Sequence, residues 1–561
     1  MSGKHKVLIV TGGFLSGKEG SFFEVLKRQI LQWEFSKFSW LEAMVKVTSV
    51  EPILYVQSSL KKSKKSQVLD YFKYDDLNST PELTETLLAT LLRDNAMAFE
   101  VASVNDLFSN SKLRTKLLAE CDTVFISTTL LRDLSEMFPI LKLLKTPDNH
   151  LVAGGPLTQL LKENIKFLND VDVVAIGHGE YLVPALCSWI DSDFKELNPH
   201  PTSVGSKIEM LENIKILYSG HPESSNLDMF PAADWNLAEK YHSKKFPVIH
   251  YESVRGCPYR CSFCNYPFLF NENSFRYRSA LQIADDWENY EKTMGPKIIN
   301  CLDSLFTMPR KRLFELCDII QERGIKSRWV CYARSEDLAD ENVCIAMKAA
   351  NILQVQIGLE SGSPQILDNM KKHCTLEENI KAIENCRKYG ITSVVSLIVG
   401  FPGETDETIE ETYQLIKKTK PDFFFIATFS TRAAGVPILS TENRKKFGIW
   451  IDENVFSVSP YWQHATMSAS EVGRRVRYLQ FRIMKEKLSL NAFAFYSGML
   501  GYNPDHREEL LEFQAEAVKR FNIIPKFFGI AINFIEKRIQ KDIDKLKKIS
   551  PATPPEAKQL A

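Results

Sequence analysis

The chain has 561 residues, 44% of them hydrophobic, and its 70 basic residues balance 70 acidic ones. That length predicts about three to four domains at ~150 residues each, and zero net charge gives no footing for a nucleic-acid or anionic-membrane partner. No apolar run approaches the ~20 residues that a membrane helix needs, and 11 scattered cysteines in so long a chain fit a reducing compartment better than a disulfide scaffold.

The start, Met1 to Val10, has a basic front but only the short apolar run Val7–Val10 before Thr11-Gly12-Gly13. A signal h-region is longer, so a first strand in a cytoplasmic protein is expected. Further strands are expected at Ile53–Gln57, Thr123–Ser127, Leu151–Ala153 and Val171–Ile176, with helices at Phe22–Phe35, Pro81–Arg93, Leu131–Leu144 and Tyr181–Ile190. This alternation predicts a Rossmann-like α/β domain over residues 1–195, a parallel sheet covered by helices. The run Lys61–Lys65 reads as a solvated loop. Gly12-Gly13-Phe14-Leu15-Ser16-Gly17-Lys18-Glu19 approaches a phosphate-binding loop, but Glu19 replaces the hydroxyl that would hold magnesium and would repel phosphate. Nucleoside triphosphate hydrolysis is therefore excluded, while Gly12 and Gly13 still mark the carboxyl end of a strand, where open α/β sheets bind ligands. Two later turns, Gly154-Gly155-Pro156 and Gly177-His178-Gly179-Glu180, each follow a strand and precede a helix. Glycine there permits close approach of backbone to a bulky ligand.

After an expected linker at 196–244 comes Cys257-Pro258-Tyr259-Arg260-Cys261-Ser262-Phe263-Cys264, with C-x3-C-x2-C spacing, behind the apolar run Pro247–Tyr251. Three thiolates from one loop can hold three irons of an iron–sulfur cluster and leave the fourth open. The alternatives are a zinc site or three buried thiols. Zinc sites usually pair two C-x2-C units, and no second pair exists in the chain. Cys121, Cys187, Cys301, Cys317, Cys331, Cys344, Cys374 and Cys386 are single residues in apolar segments.

Strands expected at Ile298–Leu302, Arg328–Tyr332, Leu353–Leu359, Ser393–Val399 and Phe423–Thr428 alternate with helices at Ala280–Thr293, Arg310–Arg323, Asn342–Ala350, Leu376–Tyr389 and Asp406–Lys418. With the strand before Arg255 they make six units, a partial (β/α)6 barrel over 245–435, whose chemistry belongs at the carboxyl ends of the strands.

The cysteine spacing, with an aromatic before the last cysteine, resembles the signature of the radical S-adenosylmethionine (SAM) enzymes. Leu302-Asp303-Ser304, Tyr332-Ala333-Arg334, Gly358-Leu359-Glu360-Ser361-Gly362 and Gly400-Phe401-Pro402-Gly403-Glu404 resemble that family's turns. The resemblance implies a 4Fe-4S cluster on Cys257, Cys261 and Cys264, with SAM on its open iron. It implies that Arg334 meets the SAM carboxylate, that Glu360 accepts from its ammonium or ribose, and that Ser396 lies near it. The plain alternative for Arg334 and Glu360 is an ion pair between neighbouring strands. Tyr259 or Phe263 either stacks on adenine or excludes water. The two glycine turns resemble the cobalamin-binding domain that precedes the barrel in one class of these enzymes, which assigns Gly12, Gly13, Gly154, Gly155, Gly177, Gly179 and Glu180 to cobalamin. No D-x-H-x-x-G motif is present, so the resemblance implies cobalt without a protein histidine. Methylthiotransferases share the barrel but carry three further cysteines in the first domain, which are absent before Cys121 here.

The implied reaction is carbon methylation of a small molecule or peptide by a SAM-derived radical and methylcobalamin, with ring closure or rearrangement as the alternative outcome. An external one-electron reductant of flavodoxin or ferredoxin type is implied as partner. Residues 436–561 are expected to be mainly helical, at Ala469–Leu488, Arg507–Phe521 and Phe527–Lys548, with a disordered tail from about 549. The aromatics at 460–464 and 493–496 either line a substrate pocket or form core.

Overall fold

The computed structural model describes residues 5–13, 80–131, 134–269, 274–431, 435–451, 462–492 and 502–521. The expected elements at 22–35, 53–57 and 527–548, the lysine run at 61–65, residues 14–19 of the glycine turn, the aromatics at 460–461 and 493–496, and the tail lie outside these residues.

The first sheet has seven strands: β1 (Lys6–Thr11), β2 (Ala98–Ser103), β3 (Thr123–Ser127), β4 (His150–Gly154), β5 (Val173–Ile176), β6 (Lys207–Leu211) and β7 (Ile214–Tyr218), in the order β2-β1-β3-β4-β5-β7-β6. All neighbours run parallel except β6 against β7. Its central strands are apolar on both faces because helices cover both. Leu8, Val10, Val124 and Ile126 enter one core, while Val7, Ile9, Phe125 and Val152 enter the other. Two corrections follow. The edge strand β2 was not anticipated, and the stretch expected as a linker contributes the β6–β7 hairpin. Both lie toward the sheet's edges, where half-exposed residues such as Glu100 and Glu209 interrupt the apolar run.

The second sheet takes β8 (Val248–Tyr251), then, past the short hairpin β9 (Val254–Arg255) and β10 (Arg276–Tyr277), β11 (Ile298–Cys301), β12 (Arg328–Ala333), β13 (Ile352–Glu360), β14 (Thr392–Val399) and β15 (Phe423–Thr428). A second short hairpin, β16 (Trp450–Ile451) and β17 (Trp462–Gln463), precedes β18 (Leu490–Asn491). The sheet order is β18-β15-β14-β13-β12-β11-β8, all parallel. The six expected strands are thus joined by a seventh from the tail, with Phe423 beside Leu490. The helices between strands fall where expected, and several start on capping boxes. Thr375, for example, accepts from the Glu378 amide while the Glu378 carboxylate accepts from the Thr375 amide at 2.7 Å. Trp462 and His464 are buried core residues, Trp462 edge-on to Phe429 at 4.9 Å. Helices Ala469–Lys485 and Arg507–Phe521 pack together after them. Among the described residues no helix is long and apolar enough to cross a membrane.

Candidate active site

The cysteine loop leaves β9 at the carboxyl ends of β8 and β11 and is fastened at several points. The buried Asp303, just past β11, accepts from the amides of Ser253 and Val254 at 2.6 and 2.8 Å and from the Ser253 hydroxyl at 2.5 Å. Burial raises its pKa to about 6 although the Arg312 guanidinium opposes the shift. Ser304 donates to the Gly256 carbonyl at 2.9 Å. Ser262 donates its amide to the Met370 carbonyl at 2.8 Å and its hydroxyl to the Asn369 carbonyl at 2.9 Å. Within the loop, the Cys264 amide donates to the Cys261 carbonyl at 3.1 Å.

Cys257, Cys261 and Cys264 are close enough to interact electrostatically. Burial pushes the Cys264 thiol up to about 12 and raises that of Cys257, and neighbouring thiols add to both shifts. Metal ligation at such thiols releases protons. Among the described residues no three His, Cys, Asp or Glu side chains gather as a single ion would require. The thiol donor set suits iron–sulfur binding, and Arg334 supplies a donor beside it, its Nη1 3.6 Å from Cys261 Sγ.

Arg334 and Glu360 do not pair with each other. Arg334, 6% exposed at the end of β12, forms an ion pair with Glu336 and donates to the Lys372 carbonyl. Its guanidinium lies 3.8 Å from the Tyr259 ring centre, a cation–π contact. Glu360, at the end of β13, pairs with Lys372 Nζ at 3.2 Å. It has a positive φ of 65°, unusual for a side-chain-bearing residue and found where surrounding structure enforces it, often at ligand sites. Lys372 is itself buried, with its ammonium 6.0 Å from the Phe263 ring centre. It escaped notice in the sequence because it stands in an ordinary Met370-Lys371-Lys372 run. Ser396, facing Gly358 across β13 and β14, makes one long bond to the Ile357 carbonyl at 3.5 Å.

The glycine turns lie along the carboxyl edge of the first sheet. At Gly155, with φ of 111°, a Cβ would come within 2.9 Å of Thr128 Oγ1, and at Gly177, with φ of 117°, it would overlap Ser219 Oγ. That hydroxyl accepts from the His178 amide at 2.9 Å. These glycines are therefore required by their neighbouring turns. A Cβ on Gly13 would crowd the Leu130 carbonyl at 2.7 Å, whereas Gly154 and Gly179 have room. Gly12 follows β1 and its amide bonds to Glu82. Thr128 is fully buried, and its hydroxyl has no hydrogen-bond partner.

Glu180 is engaged within the protein. Its carboxylate accepts from Arg255 in a two-pronged pair, at 2.9 and 2.6 Å, and Arg255 also binds Glu252 at 3.0 and 2.8 Å. His178, 1% exposed, sets its Nδ1 2.9 Å from the same guanidinium. Desolvation raises the Glu180 pKa, but the Arg255 charge outweighs it and holds the carboxyl down at about 2. The Gly-His-Gly-Glu turn thus grips the residue two places before Cys257, so the edge of the first sheet abuts the cysteine loop.

Comparison with known proteins agrees with this geometry. Residues 251–416 match the model of the Radical SAM superfamily. An uncharacterized methyltransferase of Pyrococcus horikoshii is 29% identical over 290 residues, covering 50% of this chain and 60% of that one. An anaerobic magnesium-protoporphyrin IX monomethyl ester cyclase of Rubrivivax gelatinosus is 26% identical over 334 residues, covering 58% of this chain and 59% of that one. The chain therefore spans about three fifths of the length of these curated relatives. The solved radical SAM methyltransferase TsrM of Kitasatospora setae, with cobalamin and a [4Fe-4S] cluster bound, superposes with a TM-score of 0.60 at 16% identity, covering 79% of this chain and 97% of that one. Residues 251–416 thus match a radical SAM superfamily domain, and the fold around it is similar to that of the solved methyltransferase TsrM.

Proposed function

We propose that the chain is a cobalamin-dependent radical SAM methyltransferase acting on a carbon of a small-molecule or peptide substrate. The observation that carries this reading is the Glu180–Arg255 contact, which sets the glycine-turn edge of one α/β sheet directly against a three-cysteine loop on the next. Two cofactors held at those edges would face one another.

Cys257, Cys261 and Cys264 would hold a 4Fe-4S cluster. Arg334 and Glu360, on adjacent strand ends, would take the carboxylate and ammonium of SAM, the first as a charge-assisted pair. For Glu360 this requires release from Lys372, which pairs with it here. Tyr259 holds the Arg334 guanidinium against its ring. Gly154, Gly155, Gly177, Gly179 and the Thr128 hydroxyl would line the cobalamin side, and His178 stays with Arg255 rather than cobalt. When bound, these groups supply a carbon-centred radical and a methyl carrier, while the protein orients them and excludes water. An external one-electron reductant of flavodoxin or ferredoxin type completes the partners. A second reading, ring closure or rearrangement without methyl transfer, is favoured by the relative named as a cyclase.

The test is anaerobic reconstitution with iron, sulfide and hydroxocobalamin. Wild type should bind about four irons and one cobalamin, and changing all three cysteines to Ala should remove the cluster absorbance and SAM cleavage together. With methyl-labelled SAM and extract of the source cells, label should enter one product. Deoxyadenosine formation with no labelled product would favour the cyclase reading, and a triple variant that still assembled the cluster would refute the site.

A further inference from the structure

The inner face of the second sheet carries a polar row that the cofactor assignments leave unused. In β13, Val355, Ile357 and Leu359 enter the helix-side core, so alternation turns Gln354, Gln356 and Gly358 to the other face. Ile249, Tyr251, Ile299, Cys301, Val395 and Leu397 enter the same helix-side core, which places His250, Asn300 and Ser396 on the inner face too. Asn300 and His250 bond to each other at 3.1 Å.

Gln354 and Gln356 stand at the middle of this row, 2% and 6% exposed, and the amide oxygen of each has no hydrogen-bond partner. One unmet acceptor is a tolerable fault, since burying a polar group without a partner is costly but survivable. Two of them stand two residues apart on one face of the central strand, both buried and both unmet. Methionine or leucine would fill the same volume without the cost. By register Gln354 neighbours Val330 and Thr392, and Gln356 neighbours Tyr332 and Val394. Glu360 lies farther along the same strand, about 13 Å from Gln356 at ~3.3 Å per residue. The amides therefore sit deeper in the sheet than the proposed SAM contacts.

We propose that Gln354 and Gln356 recognise the substrate, and that it is an uncharged molecule presenting N–H or O–H donors, such as a lactam, an amide or an N–H heteroaromatic ring. An amide pair brings no charge to offset a buried ion, and His250, on the edge strand of the same face, is held neutral by burial, its pKa lowered to about 4. This deepens the reading of the preceding section by naming the substrate class, and it rests on that reading for the word substrate.

The test uses a defined probe and needs no loaded cofactor. Ligand-observed NMR on the full chain would compare 2-pyridone, which has an N–H donor, with N-methyl-2-pyridone, which has none. Pyridone should bind wild type and lose at least tenfold in affinity for Gln354→Met and Gln356→Met, while the methylated probe should bind neither. The variants should melt no lower than wild type, because they remove unmet polar atoms, and SAM affinity of the reconstituted protein should stay within twofold. Equal binding of the two probes, no binding of either, or a lower melting point in both variants would overturn the proposal. Tenfold weaker SAM binding would assign the amides to SAM and overturn it as well. Failure of methyl labelling in wild type alongside selective pyridone binding would refute the methyltransferase reading and leave the amide pair standing.

Discussion

Glu180→Gln removes one charge from the buried pair with Arg255 while keeping its shape. The ion pair moves the Glu180 pKa from 4.5 to about 2, and at ~1.36 kcal/mol per unit that is about 3 kcal/mol of stabilisation. Breaking a buried pair by removing one partner costs about 3–5 kcal/mol by direct measurement in other proteins. Glu252 stays with Arg255, so the lower end of that range applies. A lowered carboxylate pKa contributes stability that is present above pH 4.5 and lost as the pH falls toward 2. The assay is native-state hydrogen exchange at pH 7, read at the amides of residues 253–262. Their protection should fall roughly a hundredfold, since ~1.4 kcal/mol corresponds to tenfold in an opening equilibrium. The gap between variant and wild type should narrow below pH 4.5. Glu180→Leu combined with Arg255→Met should recover part of the loss, because the apolar pair removes both fully buried charges while Glu252 loses its Arg255 partner. Unchanged protection of this loop in a folded Glu180→Gln protein would refute the idea that the pair fastens it.

Three further outcomes follow from the same geometry. Gly177→Ala should destabilise the first sheet by more than about 1 kcal/mol, because its φ is 117° and its Cβ would overlap Ser219 Oγ; Ser219→Gly should recover part of the loss in thermal unfolding. Gly179→Ala, where the nearest atom is Leu91 Cδ1 at 3.9 Å, should be neutral or stabilising at the start of a helix by up to ~1 kcal/mol, so any drop in cobalamin stoichiometry there reports a ligand contact rather than misfolding. Burial raises the Glu404 pKa from 4.5 to about 8, which makes its contribution to stability complete below pH 4.5 and lost as pH rises through 8. The melting point of Glu404→Gln should therefore gain on wild type between pH 6 and 9, and parallel curves would contradict the shift.

The strands legible in the sequence are those whose burial is complete. Val7–Val10 and Thr123–Ser127 lie inside a parallel sheet and read as unbroken apolar runs. Strand β2 escaped because its edge position leaves it half-exposed, and the β6–β7 hairpin because β6 shows solvent most of its residues. Strand β18 is two residues long, and only its pairing with β15 makes it a strand. The cysteines were legible because one loop holds them all. Their surroundings were not. Arg255 meets Glu180 across 75 positions of chain, and no local pattern announces a contact between two domains. Lys372 reaches Glu360 over only 12 positions, but that pairing depends on a helix folding back past the strand end.

The Gly-x-Gly-Glu turn shows why residue type and residue role separate. Glycine at 177 reads as a ligand contact because backbone must come close to a bulky group, and glutamate at 180 only through the turn's resemblance to the cobalamin-binding family. The structure spends both on protein: Gly177 makes room for Ser219, and Glu180 holds Arg255. Such residues shape the edge of the sheet through the protein's own contacts. Contacts are better sought among groups whose bonding the protein leaves incomplete, because a buried polar atom without a partner is unfavourable until something supplies one. Sixteen side-chain atoms among the described residues meet that criterion, and the Thr128 hydroxyl, past β3 of the first sheet, and Gln354 and Gln356, on the central strand of the second, are among them. None of the three belongs to a family motif.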